Sequence, residues 1–282
     1  MRILNILLRH KILISAFLIL CILLPYIYYE DNCIDLEPFS ISIKNLPDEF
    51  VGLKIAHISD VHLPANSDFI NSIIQEVKNA KPDLIFLTGD IVDRRADLKT
   101  CGLDDFCKNL ADICPTYAVS GNNDNSTNNI TLWESIISEN GVIVLNNQAV
   151  TYSKNGKSIA ILGLTDKYNY LKTISSTTQD IESIPVLLLS HRPEKFYSYF
   201  HSNNKIKPDL VFTGHAHGGQ FRVPFANLGL FAPGQGFFPK YTSGLYTDEE
   251  GGKMLVSRGL CNSSFPIRIN NRVHLPIIQL TN

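Results

Sequence analysis

The chain carries a patterned set of side chains able to bind metal ions. They are Asp60 and His62 in DVH, Asp90 in GDIVDR, Asn122 in SGNND, His191 in SHRP, and His215 and His217 in GHAH. Imidazole nitrogens mixed with carboxylate oxygens suit Mn²⁺, Fe or Zn²⁺, whereas an all-oxygen set would suit Mg²⁺ or Ca²⁺. Residues two apart on an extended segment project to the same side, so Asp60 with His62, and His215 with His217, can each reach one locus. A single Asp-x-His says little, and an isolated Gly-Asn-Asn-Asp reads as a turn. The ordered set of five motifs points to a shared site.

Each motif needs an element to deliver it, and the residues before it supply one. Short runs rich in Ile, Leu and Val end in a small residue, and a candidate ligand follows: LKIAHIS before Asp60, DLIFLTG before Asp90, TYAVSG before Asn122, VLLLS before His191, DLVFTG before His215. Between the first of these, apolar residues recur at helical spacing. One stripe is Phe69, Ile70, Ile73, Ile74 and Val77; a second is Leu103, Phe106, Leu110 and Ile113; a third is Leu132, Trp133, Ile136 and Ile137. Continuous apolar strands alternating with helices predict a largely buried sheet with β-α-β crossovers. Ligands bind beyond the carboxyl ends of such strands, where all five motifs fall. His57 has the opposite parity to Ile58 and Asp60 and is expected to pack inside the sheet. His201 and His274 match no motif and are expected to be surface or partly buried residues.

Composition bounds the rest. Of 282 residues, 44% are hydrophobic and 18% charged, with the apolar surplus concentrated near the N-terminus. Residues 1–11 form a basic flank (Arg2, Arg9, His10, Lys11), residues 12–29 carry no charge, and Glu30 and Asp31 follow. That run approaches the ~20 residues a bilayer-spanning helix needs. The positive-inside rule places the N-terminus in the cytoplasm and everything after Tyr29 outside. A cleaved signal peptide is the rival, but no small-x-small cleavage site stands before the acidic flank, so an uncleaved anchor is expected. Residues 30–52 read as a linker and first strand, and 53–282 as the domain that bears the motifs. Beyond the flank, 22 Lys and Arg face 27 Asp and Glu, a balance that argues against a nucleic-acid partner. The six cysteines form no CxxC pair, and Cys101, Cys107 and Cys114 are expected in the core.

Taken in order, DVH, GDIVDR, GNND, SHRP and GHAH resemble the motifs of the calcineurin-like metallophosphoesterases, from about Leu53 to the C-terminus. The stretches GHAHGGQ, LFAPGQGFFPKYTSGLY and VSRGLCNSSFPIR are most similar to a membrane-associated bacterial branch. The expected fold is a four-layer αββα sandwich of two mixed sheets, with a dinuclear metal site at the strand C-terminal ends and an N-terminal transmembrane helix. The resemblance implies two divalent ions (Mn, Fe or Zn). Asp60, His62 and His217 would hold one, Asn122, His191 and His215 the other, and Asp90 would bridge them. Such a pair lowers the pKa of a bound water and clamps phosphoryl oxygens for in-line attack. Asn122 would be a neutral ligand, limiting charge build-up against an anionic phosphate.

One position departs from the family pattern. Where relatives usually have a His that helps protonate the leaving group, this chain has Asn123. An amide can donate a hydrogen bond to a phosphoryl oxygen but cannot act as a general acid, a loss of ~10²–10⁴-fold that depends on the leaving group. A phosphate departing from a pyrophosphate has a second pKa near ~6 and scarcely needs a proton. Asn123 therefore marks an enzyme for activated leaving groups, or a weakened or silent relative. UDP-diacylglucosamine hydrolases, in the same superfamily, also lack that His. Asp93, which normally supports the missing His, and Arg94, which matches a phosphate-contacting Arg in some relatives, are the other catalytic candidates. Both could equally be salt-bridged structural residues, and Arg192 is a weaker candidate.

The glycines and prolines of FANLGLFAPGQGFFPKY rule out a regular helix there. As a loop it would bring Phe231, Phe237 and Phe238 near the metals, to meet a lipid chain or bilayer edge, or else fold over the sheet as core. The expected function is hydrolysis of a phosphoester or pyrophosphate, on a phosphorylated small molecule or lipid, at a membrane surface. Three forms remain open: a UDP-diacylglucosamine-type lipid-nucleotide pyrophosphatase, a broad extracytoplasmic phosphodiesterase or phosphatase, and a metal-binding protein without catalysis.

Overall fold

A computed structural model describes residues 2–127, 129–166, 181–201, 206–226, 228–262 and 265–282. The side chains of Arg2 and Arg9, and Asn227, Ser263 and Ser264 of the tail motifs, lie outside the described residues. Helix α1 (Arg2–Asn32) contains Pro25, and its stretch His10–Asn32, which holds an 18-residue window of mean hydropathy 2.3, is long and apolar enough to cross a membrane. Only Cys33 and Ile34 separate it from β1 (Asp35–Ser42). There follow β2 (Lys54–Ile58), α2 (Ser67–Ala80), β3 (Leu84–Thr88), α3 (Leu103–Ala111), β4 (Thr116–Val119), α4 (Asn122–Ser126), α5 (Ile130–Glu139) and β5 (Ile143–Val144). The second half holds β6 (Gln148–Lys154), β7 (Lys157–Gly163), β8 (Val186–Leu189), α6 (Phe196–His201), β9 (Leu210–Thr213), β10 (Phe231–Ala232), β11 (Gly236–Phe237), β12 (Gly244–Thr247), β13 (Lys253–Val256) and β14 (His274–Thr281).

Period-two alternation along the strands decides how these elements stack. They form two six-stranded mixed sheets, ordered β1-β14-β2-β3-β4-β5 and β12-β13-β9-β8-β7-β6. One parity of the first sheet (Ile55, Leu84, Phe86, Tyr117, Val119) meets Ile161, Leu187, Leu189 and Phe212 of the second, forming the core between the sheets. The other parity (Ala56, Ile58, Ile85, Leu87, Ala118) packs beneath α2, α3 and α5 through Phe69, Ile73, Val77, Phe106, Leu110, Trp133 and Ile137. On the far side, Leu162, Leu188, Val211 and Met254 lie under Phe196, Tyr199 and Phe200 of α6. The result is the four-layer αββα sandwich, with a thin second helical layer among the described residues.

His57 packs between the sheets, its Nε2 2.8 Å from Thr88 Oγ1 and its ring edge-on to Phe212. His274 corrects an expectation. It is fully buried at the start of β14, where its Nδ1 accepts the Arg258 N–H and its Nε2 lies 3.0 Å from Glu37 Oε2. The strand that buries it pairs with β1 and β2, both distant in sequence. His201 is partly buried, 2.8 Å from Asp248.

Candidate metal centre

Strands β2, β3 and β4 of the first sheet and β8 and β9 of the second end on the same side of the sandwich, and the motifs that follow them converge. Asp60, His62 and His217 form one buried group, and Asp90, His191 and His215 another; within each, one ligand atom per residue lies within 4.8 Å of the others. Strand parity does not bring them together. Asp60, His62, Asp90, His215 and His217 all adopt left-handed backbone, with φ from 46° to 64°. For residues with a Cβ such conformations cost of order 1–2 kcal/mol each and cluster where function requires them. The turn also sends His215 and His217 to different groups, although only Ala216 separates them in GHAH.

Bonds between the loops hold these turns. The His215 N–H donates to the Asp60 carboxylate at 3.0 Å, and the His62 N–H donates to the Asp90 carbonyl at 3.0 Å. The loops approach so closely that a Cβ on Gly121 would stand 2.2 Å from Asp90 Oδ1. Asp124, which sequence reasoning passed over, is fully buried and accepts the Gly121 N–H at 2.7 Å and the Val92 N–H at 3.0 Å. It ties the loop after β3 to the start of α4. Burial, then the neighbouring Asp90, pushes its carboxyl above the usual range.

The donor chemistry fits divalent cations. Burial holds His62 down to about 4 and His217 down to about 3, leaving neutral imidazoles with free lone pairs. Both His62 nitrogens, His217 Nδ1 and Asn122 Oδ1 are buried without a hydrogen-bond partner. Orphaned buried acceptors are rare unless an ion or water meets them. His191 Nδ1 lies 2.8 Å from the Thr88 carbonyl, which fixes the proton there and turns Nε2 inward, 3.4 Å from Asp90 Oδ2. Burial opposes charge on His191, but Asp90 outweighs it and lifts the imidazole to about 10.

The other expected site residues are placed less uniformly. Asn123 is buried, and both its N–H (2.7 Å) and its Nδ2 (2.5 Å) donate to Asp90, so its donor is occupied by a ligand. Asp93 accepts the Arg95 N–H at 2.9 Å, and exposed Arg94 lines a hollow with Leu98, Asn129 and Leu132. Neither belongs to the two ligand groups. Arg192 does stand beside them, with Nη1 3.4 Å from His215 Nε2, in bonds to Asp166 and Glu194. Phe231 and Phe237 pair across the β10–β11 hairpin and line an open cleft that includes His217. Phe238 is 65% exposed and does not line it, and the three rings are exposed surface, not core.

Two contiguous His-carboxylate groups at the strand ends of an αββα sandwich define a dinuclear metallohydrolase centre. A profile described as calcineurin-like phosphoesterase matches residues 53–219, and the chain belongs to that family. It is similar to the metallophosphoesterase YkuE of Bacillus subtilis (27% identity, 90% of this chain and 87% of that protein). It is also similar to the phosphodiesterase YaeI of Escherichia coli (29%, 83% and 84%). A third relative is a transmembrane protein with a metallophosphoesterase domain from Danio rerio (24%, 85% and 56%). The chain is a hydrolase acting on phosphoesters with two divalent ions.

Proposed function

We propose that this hydrolase is anchored in a membrane by α1 and cleaves a phosphoester or pyrophosphate carried on a lipid. The supporting observation is a cleft of about 420 Å³, lined by Phe221, Leu230, Phe231, Pro233, Phe237 and Phe265, that shares His217 with a metal group. An acyl chain lying there would leave its phosphate at the metals, and apolar surface exposed beside a polar centre is an interaction site.

In this reading Asp60, His62 and His217 would hold one ion, and Asn122, His191 and His215 the other, with Asp90 available to both. The bound ions supply a water of lowered pKa and neutralise phosphoryl charge. The Thr88 carbonyl orients His191, and Arg192 lies near enough to His215 to meet a phosphoryl oxygen. Asn123 has no proton to give, so the leaving group departs as a stable anion, as a phosphate does from a pyrophosphate. The basic flank puts the N-terminus in the cytoplasm and the domain outside. A reporter fused at Asn282 that worked only in the cytoplasm would reverse that orientation and favour a UDP-linked lipid substrate.

A second reading, a phosphodiesterase for water-soluble substrates, is favoured by the likeness to YaeI. The test is kcat/KM on a long-chain alkyl pyrophosphate against its short-chain counterpart, in mixed micelles. A preference for the long chain that Phe231→Ala and Phe237→Ala abolish supports the lipid reading. Equal rates on both substrates, unmoved by either variant, would leave the water-soluble one.

A further inference from the structure

The last turn of the membrane helix bears two acids and no base, Glu30 and Asp31. Negative charge at a helix C-terminus opposes the macrodipole, at ~0.3–1 kcal/mol each, so partners elsewhere must hold these carboxylates. Glu30 is buried, and its carboxylate accepts the Asn271 N–H while its carbonyl accepts the Val273 N–H. Asn271 in turn directs its Nδ2 to the carbonyls of His217 (2.8 Å) and Gln220 (3.1 Å). Its amide fits so closely that a Cβ on Gly218, where φ is +65°, would stand 2.0 Å from Asn271 Oδ1.

Asp31 makes a second path. Its Oδ1 accepts the Asn262 side chain at 2.9 Å and the Arg268 N–H at 3.2 Å. Arg268, fully buried, donates to the carbonyls of Cys261 and Arg258, both at 2.8 Å. The Cys261 N–H then donates to the Asp60 carbonyl at 2.8 Å. The two paths end on Asp60 and His217, which belong to the same ligand group; none of these bonds reaches Asp90, His191 or His215. With only two residues between α1 and β1, the junction is short and held on both sides.

We infer that Glu30 and Asp31, at the end of the membrane helix, are positioning residues for the metal ion held by Asp60, His62 and His217. The anchor is therefore a structural part of the active site, and a protein cut at Asn32 would lose the brace of one metal position. The inference rests on the two-metal reading of the site and is independent of the lipid substrate. Partners that orient ligands in this way typically change metal affinity by ~10–100-fold when removed.

The experiment uses the full chain in detergent micelles, stripped by chelator and titrated calorimetrically with Mn²⁺, with amide exchange followed in the metal-free protein. Wild type should take two ions. Glu30→Ala and Asn271→Ala should weaken one of them by at least about tenfold and leave the other, with faster exchange at 217–220. Glu30→Gln, which keeps an acceptor for the Asn271 N–H, should restore most of the affinity. Tyr29→Phe, which alters only a contact to Arg272, should match wild type. Unchanged binding of both ions in Glu30→Ala and Asn271→Ala overturns the inference alone. Equal weakening of both ions, with a lower melting temperature, also overturns it by revealing general destabilisation. No ion bound by wild type would overturn the two-metal reading with it.

Discussion

Replacing Asn123 by His tests the chemical meaning of the departure from the family pattern. Asn123 is 3% exposed, and its Nδ2 bond to Asp90 is to a carboxylate, so losing it should cost ~1.5–3 kcal/mol of stability. The backbone bond from its N–H to Asp90 remains. An imidazole that protonates the leaving group would return ~10²–10⁴-fold in rate, equivalent to about 3–5 kcal/mol of barrier. The two effects separate cleanly, because the structural loss falls on all substrates alike and the acid helps only poor leaving groups. Rates should be measured on the full chain with Mn²⁺ across aryl phosphodiesters of graded leaving-group pKa. Wild type should fall steeply as that pKa rises, and Asn123→His should flatten the line while lowering the melting temperature. A shallow wild-type dependence would refute the reasoning, since another residue must then supply the proton.

Four further outcomes are expected. Gly121→Ala places a Cβ 2.2 Å from Asp90 Oδ1 and 2.3 Å from its N, and should reduce bound metal per chain and turnover together. Arg192→Ala should lower kcat/KM by roughly tenfold or more, the scale of a lost charge-assisted bond, while Arg94→Ala stays within about twofold. Trp133→Ala, on the fully buried face of α5, should cost ~3–5 kcal/mol in denaturant unfolding. Burial holds His274 down to about 4, against 6.5 in the unfolded chain, so the stability it contributes is complete above pH 6.5 and is lost as pH falls toward 4. The full loss is at most about 3 kcal/mol. The His274 bond pulls Glu37 from 4.5 to about 2, which adds a further loss below pH 4.5. Unfolding of chelator-treated protein between pH 7 and 4 should show this fall together with that of the other buried imidazoles, His57, His62 and His217, and His274→Gln should make it shallower without abolishing it.

The parts legible in the sequence were those set by short-range pattern. Strands β2, β3, β4, β8 and β9 are apolar runs bounded by small residues, and their carboxyl ends name the ligands directly. The helical stripes of α2, α3 and α5 follow from the same periodicity. What escaped was fixed by partners far along the chain. His274 is buried because β14 inserts between β1 and β2, a pairing that local pattern does not register. Arg94 and Arg192 look alike as residues beside ligand motifs, but the chain after Asp90 turns Arg94 outward, and Asp166 and Glu194 hold Arg192 beside His215. The parity argument for Asp60 and His62 assumed extended backbone where the chain is left-handed. Asp124 gave one signal that could have been used: it is the third residue after Gly121, the position from which an acid caps the start of a helix.

Those left-handed turns explain why a site of short motifs needs so much of the chain around it. Five ligands in unfavourable backbone carry several kcal/mol of strain, more than any one cross-loop bond returns. The strain is tolerated because each loop is bonded to another: Asp60 to His215, His62 to Asp90, Asp124 to Gly121 and Val92. The bond from His62 to the Asp90 carbonyl and those to Asp124 use no candidate ligand atom, whereas the His215 N–H meets the Asp60 carboxylate itself. The His62 nitrogens and Asn122 Oδ1 are left without partners beside these bonds, as acceptors available to an ion would be. The Asp60 and Asp90 carboxylates thus serve both the turns and the metal groups, whereas Asp124 belongs to neither group, and its substitution should disturb metal binding without removing a ligand.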